Sequence, residues 1–364
     1  MNGDLSRRGV LGAGLGVGVG FAGAALLGRR ALAQPGSMPS AAPVVPAAPA
    51  AAKPRKRVVR LAHITDTHIQ PELRAPEGVA ACLTHIREKK FAEALAAGGA
   101  GGASVGSGDK VDLILHGGDV IFDAIDVGAE RVQQQWDLYH KAVADNWSGP
   151  IYHAVGNHDC WGLNKKASGT TGDEELWGKR WAMKELKIKP VANVDTKAFG
   201  AYYSFDQNGW HIVVLDSVQV EPGGYFGGID DAQFDWLKGD LLLNKMYPTL
   251  VLSHISLFTA TVLDRALNDK RERVVHPALM CIDYGRLKKL FLENPQVKVA
   301  LSGHMHLKDR VDYCGVSYFC GGAVCGGWWK GPHKECDAGY SVVDLFDDGT
   351  FENRYVGYGW KAGV

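Results

Sequence analysis

Between residues 57 and 155 the chain alternates short apolar runs with amphipathic segments. Three runs have the length and β-branched content of buried strands: "RVVRLAHI" (57–64), "VDLILH" (111–116) and "IYHAV" (151–155). Apolar residues at helical spacing follow the first run over residues 76–97, and "AERVQQQWDLYHKAVA" (129–144) separates the second run from the third. The order β-α-β-α-β predicts parallel strands joined by helical crossovers, and it limits the possible folds more than any other feature.

The second half of the chain is richer in strands. Residues 201–217 predict a hairpin with Asn208-Gly209 as its turn, and a helix should begin near Asp230, with Gln233 three residues later. Further strands are predicted at 249–254, at 297–304 and in "VSYFCGGAV", "GYSVVDLF" and "ENRYVGY". Strands in both halves, with helices between them, predict an α/β (α+β) fold. Two sheets would pack as a β-sandwich flanked by helices, in four layers, with no domain boundary within 58–364.

The N-terminus has the features of an export segment rather than of a fold. Arg7 and Arg8 precede an uncharged Gly/Ala-rich core, and Ala31-Leu32-Ala33 offers small residues for cleavage. Residues 1–33 therefore resemble a twin-arginine signal peptide, with an uncleaved membrane anchor as the alternative. Residues 34–57 are rich in Pro and Ala and predict an extended linker. We expect a bacterial protein exported to the periplasm or beyond the cell, without a stable membrane span after processing.

Charge and cysteine content exclude some partners and leave other questions open. Lys and Arg together number 40, as do Asp and Glu, so the formal net charge is zero and gives no electrostatic case for binding nucleic acid. Cys314, Cys320, Cys325 and Cys336 crowd one stretch and could form disulfides after export, whereas Cys82 and Cys281 equally fit buried free thiols. Neither the pairing nor the oligomeric state follows from the sequence.

Polar side chains recur where the predicted strands stop. They are Asp66, His68, Asp119, Asn157, His158, Asp159, His254, His304 and His306. Ligands of an open α/β sheet gather at the carboxyl ends of its strands, so five strand ends would deliver these side chains into one crevice. Four other histidines lie inside strand patterns and are predicted to be core or surface residues: His63, His116, His153 and His211.

The donor set indicates a metal centre. Residues i and i+2 of an extended segment share a face, so Asp66 and His68 can present two donors together. Imidazoles and carboxylates suit Fe, Mn or Zn. The nine side chains without His158 and Asp159 leave seven possible ligands, which are too many for one tetrahedral ion but suit two ions about 3.5–4 Å apart. Asp119, the lone acid at its strand end, is the best candidate to bridge them.

Each motif alone is weak, but the five in order, "DTH", "GGD", "GNHD", "SH" and "GHMH", resemble the calcineurin-like metallophosphoesterase superfamily over residues 58–310. The resemblance implies that Asp66, His68, Asp119 and His306 bind one ion, and that Asp119, Asn157, His254 and His304 bind the other. His158 would protonate the leaving group and Asp159 would orient it. Purple acid phosphatases have a metal-binding Tyr where Phe122 stands here, which argues against that subclass.

The function implied by this resemblance is dinuclear-metal-dependent hydrolysis of phosphomonoesters or phosphodiesters through a metal-bridging hydroxide. Trp328, Trp329 and Lys330 could form an aromatic and cationic lip over a small phosphoester substrate, or the two indoles could simply pack under a Gly-rich turn. Residues 160–181 could also line the cleft. Two alternatives are a different metallohydrolase and an exported non-catalytic metal-binding module. The metallo-β-lactamase pattern would need Asp at position 308, where this chain has Lys308.

Overall fold

The computed structural model describes residues 55–92, 110–189 and 200–363, and Lys53–Val364 forms one compact unit. The predicted signal peptide 1–33 and all but the last three residues of the predicted linker 34–57 lie outside these ranges. Within the described ranges, no helix combines the length and the apolar character that crossing a bilayer requires. The boundaries of the signal and the linker therefore stay predictions.

Six α-helices flank the sheets in the described part of the chain. They are α1 (Ala75–Arg87), α2 (Ala129–Asn146), α3 (Lys165–Ser168), α4 (Arg180–Glu185), α5 (Asp231–Leu243) and α6 (Tyr284–Glu293). A short 3₁₀ turn, Thr261–Leu263, lies in the long connection that precedes α6.

The first sheet has five strands in the order β13-β12-β1-β2-β3. They are β1 (Arg57–Ile64), β2 (Leu113–His116), β3 (Ile151–His153), β12 (Gly339–Phe346) and β13 (Phe351–Gly357). β1, β2 and β3 run parallel, whereas β12 runs antiparallel to β1. The predicted β-α-β-α-β unit is confirmed.

The second sheet has six strands in the order β10-β11-β9-β8-β5-β4. They are β4 (Tyr203–Gln207), β5 (Trp210–Val214), β8 (Thr249–Leu252), β9 (Val297–Ser302), β10 (Lys308–Tyr313) and β11 (Val316–Gly321). β5, β8, β9 and β11 are parallel, so their carboxyl ends share one edge. A separate hairpin pairs β6 (Val218–Glu221) with β7 (Gly224–Gly227).

The core is arranged in the predicted four layers. Alternate side chains of β1 point to opposite faces: Leu61 packs between the sheets with Ile212 of β5, while Ile64 packs against the helices α1 and α2. On the far side of the second sheet, Val251 packs against Leu237 of α5 and Leu287 of α6. Because both faces of each central strand are buried, these strands are nearly continuous apolar runs, and this continuity made them predictable.

Local signals behave largely as expected. Asn208 and Gly209 both have positive φ, 46° and 87°, as a two-residue hairpin turn requires. Asp230 caps α5 by accepting a 2.7 Å hydrogen bond from the Gln233 amide. The Gln233 side chain does not return to the helix start; it binds the backbone N–H and C=O of Asp216, at 2.8 and 2.9 Å.

Three features differ from the expectations. The helix predicted over 76–97 ends at Arg87, because Lys89 has a left-handed φ of 57°. The strand β10 was not predicted, because it is a mostly exposed edge strand with a charged sequence, "KDRVDY". The four clustered cysteines that could have formed disulfides are free thiols, whereas the buried free thiols of Cys82 and Cys281 agree with one of the two expectations for them.

Candidate metal centre

The candidate ligands lie in loops at the carboxyl ends of parallel strands from both sheets. The loop after β1 is tied to the loop after β2 by two backbone hydrogen bonds of 3.0 Å, from Asp66 N to Gly118 O and from His68 N to Asp119 O. In the second sheet, Gly303 N binds His254 O at 3.0 Å. The two sheets thus bring together side chains that are more than 200 residues apart in sequence.

The first group of donors comprises Asp66, His68, Asp119 and His306. His68 Nε2 lies 3.1 Å from His306 Nε2 and 3.5 Å from Asp119 Oδ2. His306 Nε2 lies 3.3 Å from Asp66 Oδ1, and His68 Nε2 lies 3.8 Å from the same oxygen. Four donor atoms therefore surround one point, as a metal ion requires.

The second group comprises Asp119, Asn157, His254 and His304. His254 Nε2 lies 3.0 Å from Asn157 Oδ1 and 3.2 Å from Asp119 Oδ2. Donor atoms of Asp119, His254 and His304 all lie within 4.8 Å of one another. Asp119 Oδ2 belongs to both groups, which fits the predicted bridging position.

Backbone carbonyls orient the imidazoles. His254 Nδ1 donates to Gly117 O at 2.8 Å, and His306 Nδ1 donates to Gly326 O at 2.8 Å. A ring that carries its proton on Nδ1 presents an Nε2 lone pair to the opposite side. These Nε2 atoms face the carboxylate oxygens of Asp119 and Asp66, at 3.2 and 3.3 Å, and a set of nitrogen and carboxylate ligands of this kind fits a cation.

The pKa shifts of the buried side chains also indicate that positive charge is favourable at this point. Burial alone would raise the pKa of Asp66, but His306 lowers it below its usual range. Burial would lower the pKa of His254, yet the carboxylates of Asp119 and Asp66 raise it to about 9. Buried anions need compensation, so the residues present fit divalent cations at both donor groups.

The backbone brings these ligands together by a route other than the one expected from the sequence. Asp66 and His68 share a face not because the segment is extended, but because both have left-handed φ values, 53° and 39°. Asp119, His304 and His306 also have positive φ, between 52° and 70°. Such strain in non-glycine residues clusters at functional sites. Space is equally restricted, since a Cβ on Gly156 would lie 2.1 Å from Asp119 Oδ1.

His158 lies beside the ligands, and its carboxylate neighbour is not the one expected. Its backbone amide donates to Asp119 Oδ1 at 2.8 Å, and its ring packs edge-on against His68. Asp159 does not contact that ring: its Oδ1 accepts from Val120 N, and its Oδ2 accepts from Gly156 N, both at 2.8 Å. The Asp159 oxygens thus hold the two ligand loops in place, and a role in orienting the His158 ring stays a prediction.

Asp123 is the carboxylate near the His158 ring, with 3.9 Å between Asp123 Oδ1 and His158 Nδ1. The motifs of the sequence did not single out Asp123. It follows the "GGD" motif by four residues, and that spacing could have drawn attention to it. Burial raises the pKa of Asp123 above its usual value.

Trp328 and Trp329 are adjacent in one turn but have different surroundings. The Trp328 ring lies 4.2 Å from the His68 ring and 4.6 Å from the His306 ring, between centroids, so it covers the first donor group. Trp329 is buried beneath, and its Nε1 donates to His68 O at 3.0 Å. Trp328 therefore lines the site, whereas Trp329 packs under the turn and Lys330 is exposed away from the pocket.

A pocket of about 460 Å³ opens from the metal centre. Its lining includes Asn157, His158 and His304 on the inner side and Tyr225 on the β7 strand. None of the residues 160–181 lines it; part of that segment borders a separate cavity of about 720 Å³ with Ile125 and Val220. The sequence analysis missed the outer wall, which comprises Thr261, Asp264, Arg265, His333 and Lys334.

Residues 59–308 match the family model of the calcineurin-like phosphoesterases. A probable cyclic nucleotide phosphodiesterase of Rhodococcus erythropolis is 23% identical over 275 residues, covering 73% of this chain and 70% of the relative. A 3′,5′-cyclic-nucleotide phosphodiesterase of Nostoc sp. is 22% identical over 308 residues, covering 82% of this chain and 92% of the relative. Among solved structures, a dimetal phosphatase from Danio rerio aligns with 84% of this chain and 100% of its own, with a TM-score of 0.49 and 13% identity.

Proposed function

The chain belongs to the calcineurin-like phosphoesterase family and is a hydrolase of phosphoester bonds, and from that premise we propose that it is a dinuclear-metal phosphodiesterase. The observation that carries the proposal is the convergence of six other donors around Asp119, with His254 Nε2 and His68 Nε2 at 3.2 and 3.5 Å from its Oδ2. The names of both relatives support a diester substrate, and 3′,5′-cyclic nucleotides are candidates for this chain.

We assign the metal ligands as the sequence predicted. Asp66, His68, Asp119 and His306 would hold one ion, and Asp119, Asn157, His254 and His304 would hold the other. Two divalent cations at these positions would activate a water molecule for attack and neutralise charge on the phosphoryl oxygens. Fe, Mn and Zn all suit this donor set.

The protein's own groups complete the chemistry. His158 is about a quarter exposed at the pocket wall and does not belong to either donor group, so it is free to donate a proton to the leaving oxygen. The Asp123 carboxylate lies 3.9 Å from Nδ1, on the side of the ring where it can limit the orientation of the imidazole. Trp328 excludes water from one side of the first donor group and limits the orientation of the His158 ring, whose centroid is 5.3 Å away.

The test is turnover by protein of known metal content. Metal-loaded protein should contain two ions per chain and should hydrolyse bis(p-nitrophenyl) phosphate and 3′,5′-cyclic AMP. The His254→Ala variant should lose one ion and most of the activity. The exported non-catalytic module remains the competing hypothesis: full metal content without hydrolysis of any monoester or diester would favour it and refute the proposed function.

We further propose that residues 1–33 direct export by the twin-arginine route, with the protein acting in the periplasm or outside the cell. The support is the Arg7-Arg8 pair before an uncharged Gly/Ala-rich core. Replacing both arginines by lysine should leave the precursor inside the cell, as measured by fractionation. Normal export of this variant would contradict the assignment.

A further inference from the structure

The outer wall of the pocket carries positive charge that the proposed reaction does not use. Arg265 lies on the connection between β8 and α6, and Lys334 lies on the turn that follows the two tryptophans. The inner side of the same pocket carries the metal ligands Asp119 and Asn157. A substrate whose scissile phosphate lies at the inner side would therefore extend its other end toward these two cations.

The loop that carries Arg265 is held in a defined position. Asp309 Oδ2, just beyond the metal-binding loop of β9, accepts from Thr259 Oγ1 at 2.6 Å and from Ala260 N at 2.7 Å. On the other side, the Arg273 guanidinium donates to Arg265 O at 2.6 Å. The wall is thus anchored to the same segment that supplies His304 and His306.

The two cations differ in their partners. Lys334 is ion-paired with Asp264 across the mouth of the pocket. Within the described ranges, Arg265 makes no ion pair. An exposed pair such as Lys334 with Asp264 contributes little stability, so an anion of the substrate can compete with Asp264 for Lys334 while Arg265 binds it directly.

We propose that the pocket takes phosphodiesters that carry a second phosphate group, bound by Arg265 and Lys334 while the diester lies at the metal centre. This inference rests on the proposed function. A guanidinium presents paired N–H donors that match phosphate oxygens, and an ammonium adds a point charge. The pocket volume of about 460 Å³ is within the range of about 300–1,000 Å³ typical of small-molecule sites.

The arrangement makes three predictions of different sign. We expect the wild type to prefer the substrate with the second phosphate about tenfold, which is the low end of the effect of a hydrogen bond to a charged group. Arg265→Ala should remove most of this preference. Asp264→Asn should increase the preference, because it releases Lys334 from its carboxylate partner. Lys330→Ala is the matched control: it removes a lysine of the same turn that does not line the pocket.

The experiment uses the full-length, metal-loaded protein and two chromogenic substrates that differ in one group: thymidine 5′-(p-nitrophenyl phosphate) with and without a 3′-phosphate. The ratio of their kcat/KM values isolates the contribution of the second phosphate. We expect a ratio of about ten for the wild type and for Lys330→Ala, a ratio near one for Arg265→Ala, and a larger ratio for Asp264→Asn.

Two outcomes overturn the inference: a wild-type ratio near one, or a preference that Arg265→Ala and Lys330→Ala reduce equally. Failure of the proposed function is distinguishable, because then neither ester is hydrolysed. In that case calorimetry with thymidine 3′,5′-bisphosphate and thymidine 5′-monophosphate decides the role of the wall. Tighter binding of the bisphosphate that depends on Arg265 supports the role, and equal binding refutes it.

Discussion

Two groups of buried histidines lie close together in this fold, and they differ in what surrounds each ring. His254 and His306, beyond the strand ends, donate from Nδ1 to a carbonyl and direct Nε2 toward a carboxylate. His63 lies within β1, is fully buried, and has no hydrogen-bond partner for either ring nitrogen among the described residues. Burial lowers the pKa of His63 to about 4.

The comparison shows that burial alone does not make a histidine a ligand. His116 and His153 are also buried, and their rings stack with centroids 5.4 Å apart, but no carboxylate faces them within hydrogen-bonding distance in the described structure. Their hydrogen-bond partners are neutral, such as Thr67 for His116 and Tyr139 for His153, so burial lowers the pKa of both rings. The histidines of the candidate metal centre differ from the interior histidines His63, His116 and His153 in having a carboxylate opposite Nε2 and a carbonyl opposite Nδ1.

The largest expected effect comes from the shared carboxylate. Asp119→Ala should abolish binding of both ions and reduce hydrolysis to background, because the side chain belongs to both donor groups. Elemental analysis and turnover of bis(p-nitrophenyl) phosphate measure the two effects. A variant that still holds two ions would contradict the bridging assignment.

The next effect concerns the histidine beside the ligands. His158→Ala should keep both ions but lose about 10²–10⁴-fold in kcat on substrates with poor leaving groups. The loss on p-nitrophenyl esters should be smaller, since nitrophenolate needs little protonation. Equal losses on both substrate types would exclude the role of His158 as general acid.

Among the interior histidines, His153 should produce a pH effect on stability. Burial lowers its pKa to about 3 in the folded protein, whereas the unfolded value is about 6.5. Between these values the unfolded chain binds more protons, so stability falls as the pH falls. His153→Gln should remove about 2 kcal/mol of the loss between pH 6.5 and 5, as measured by urea denaturation at each pH. If the free energy of unfolding of this variant varied with pH as in the wild type, the prediction would be wrong.

His63 should behave as a packing residue. His63→Met keeps a similar volume and removes two buried nitrogens without partners, so the free energy of unfolding should change by less than about 1.5 kcal/mol. Metal content and turnover should equal those of the wild type. Loss of metal in this variant would show that an interior histidine also supports metal binding and would contradict the comparison.

The smallest effect is expected at His211, which has the carboxylates that the interior group lacks. Burial would lower its pKa, but the hydrogen bonds that its ring donates to Asp240 and Asp206, at 2.8 and 2.7 Å, raise it. The resulting stabilisation is present below about pH 6.5 and is lost as the pH rises through the raised pKa. His211→Asn should cost less than about 1 kcal/mol at pH 6 and still less at pH 9. A cost that grows with pH would contradict this sign.

Much of the fold was predictable because its central strands are buried on both faces. The runs at 57–64 and 111–116 are mostly apolar, and the turn Asn208-Gly209 needs positive φ that few other pairs supply. The edge strand β10 and the hairpin of β6 and β7 were not predictable in the same way. β10 is a mostly exposed edge strand with a charged sequence, and β6 and β7 have only four residues each, so none of them shows the continuous apolar run that identifies a buried strand.

The sequence by itself determined the identity and order of the candidate metal ligands, because each follows a short apolar run that predicts a strand. The tertiary structure decided which other side chains lie beside these residues and line the pocket. It placed Asp123 rather than Asp159 beside the His158 ring, and Arg265 and Lys334 rather than Lys330 on the pocket wall. The physical reason is that strand periodicity is a local property, whereas the direction of a loop side chain depends on left-handed backbone turns and on contacts across two sheets.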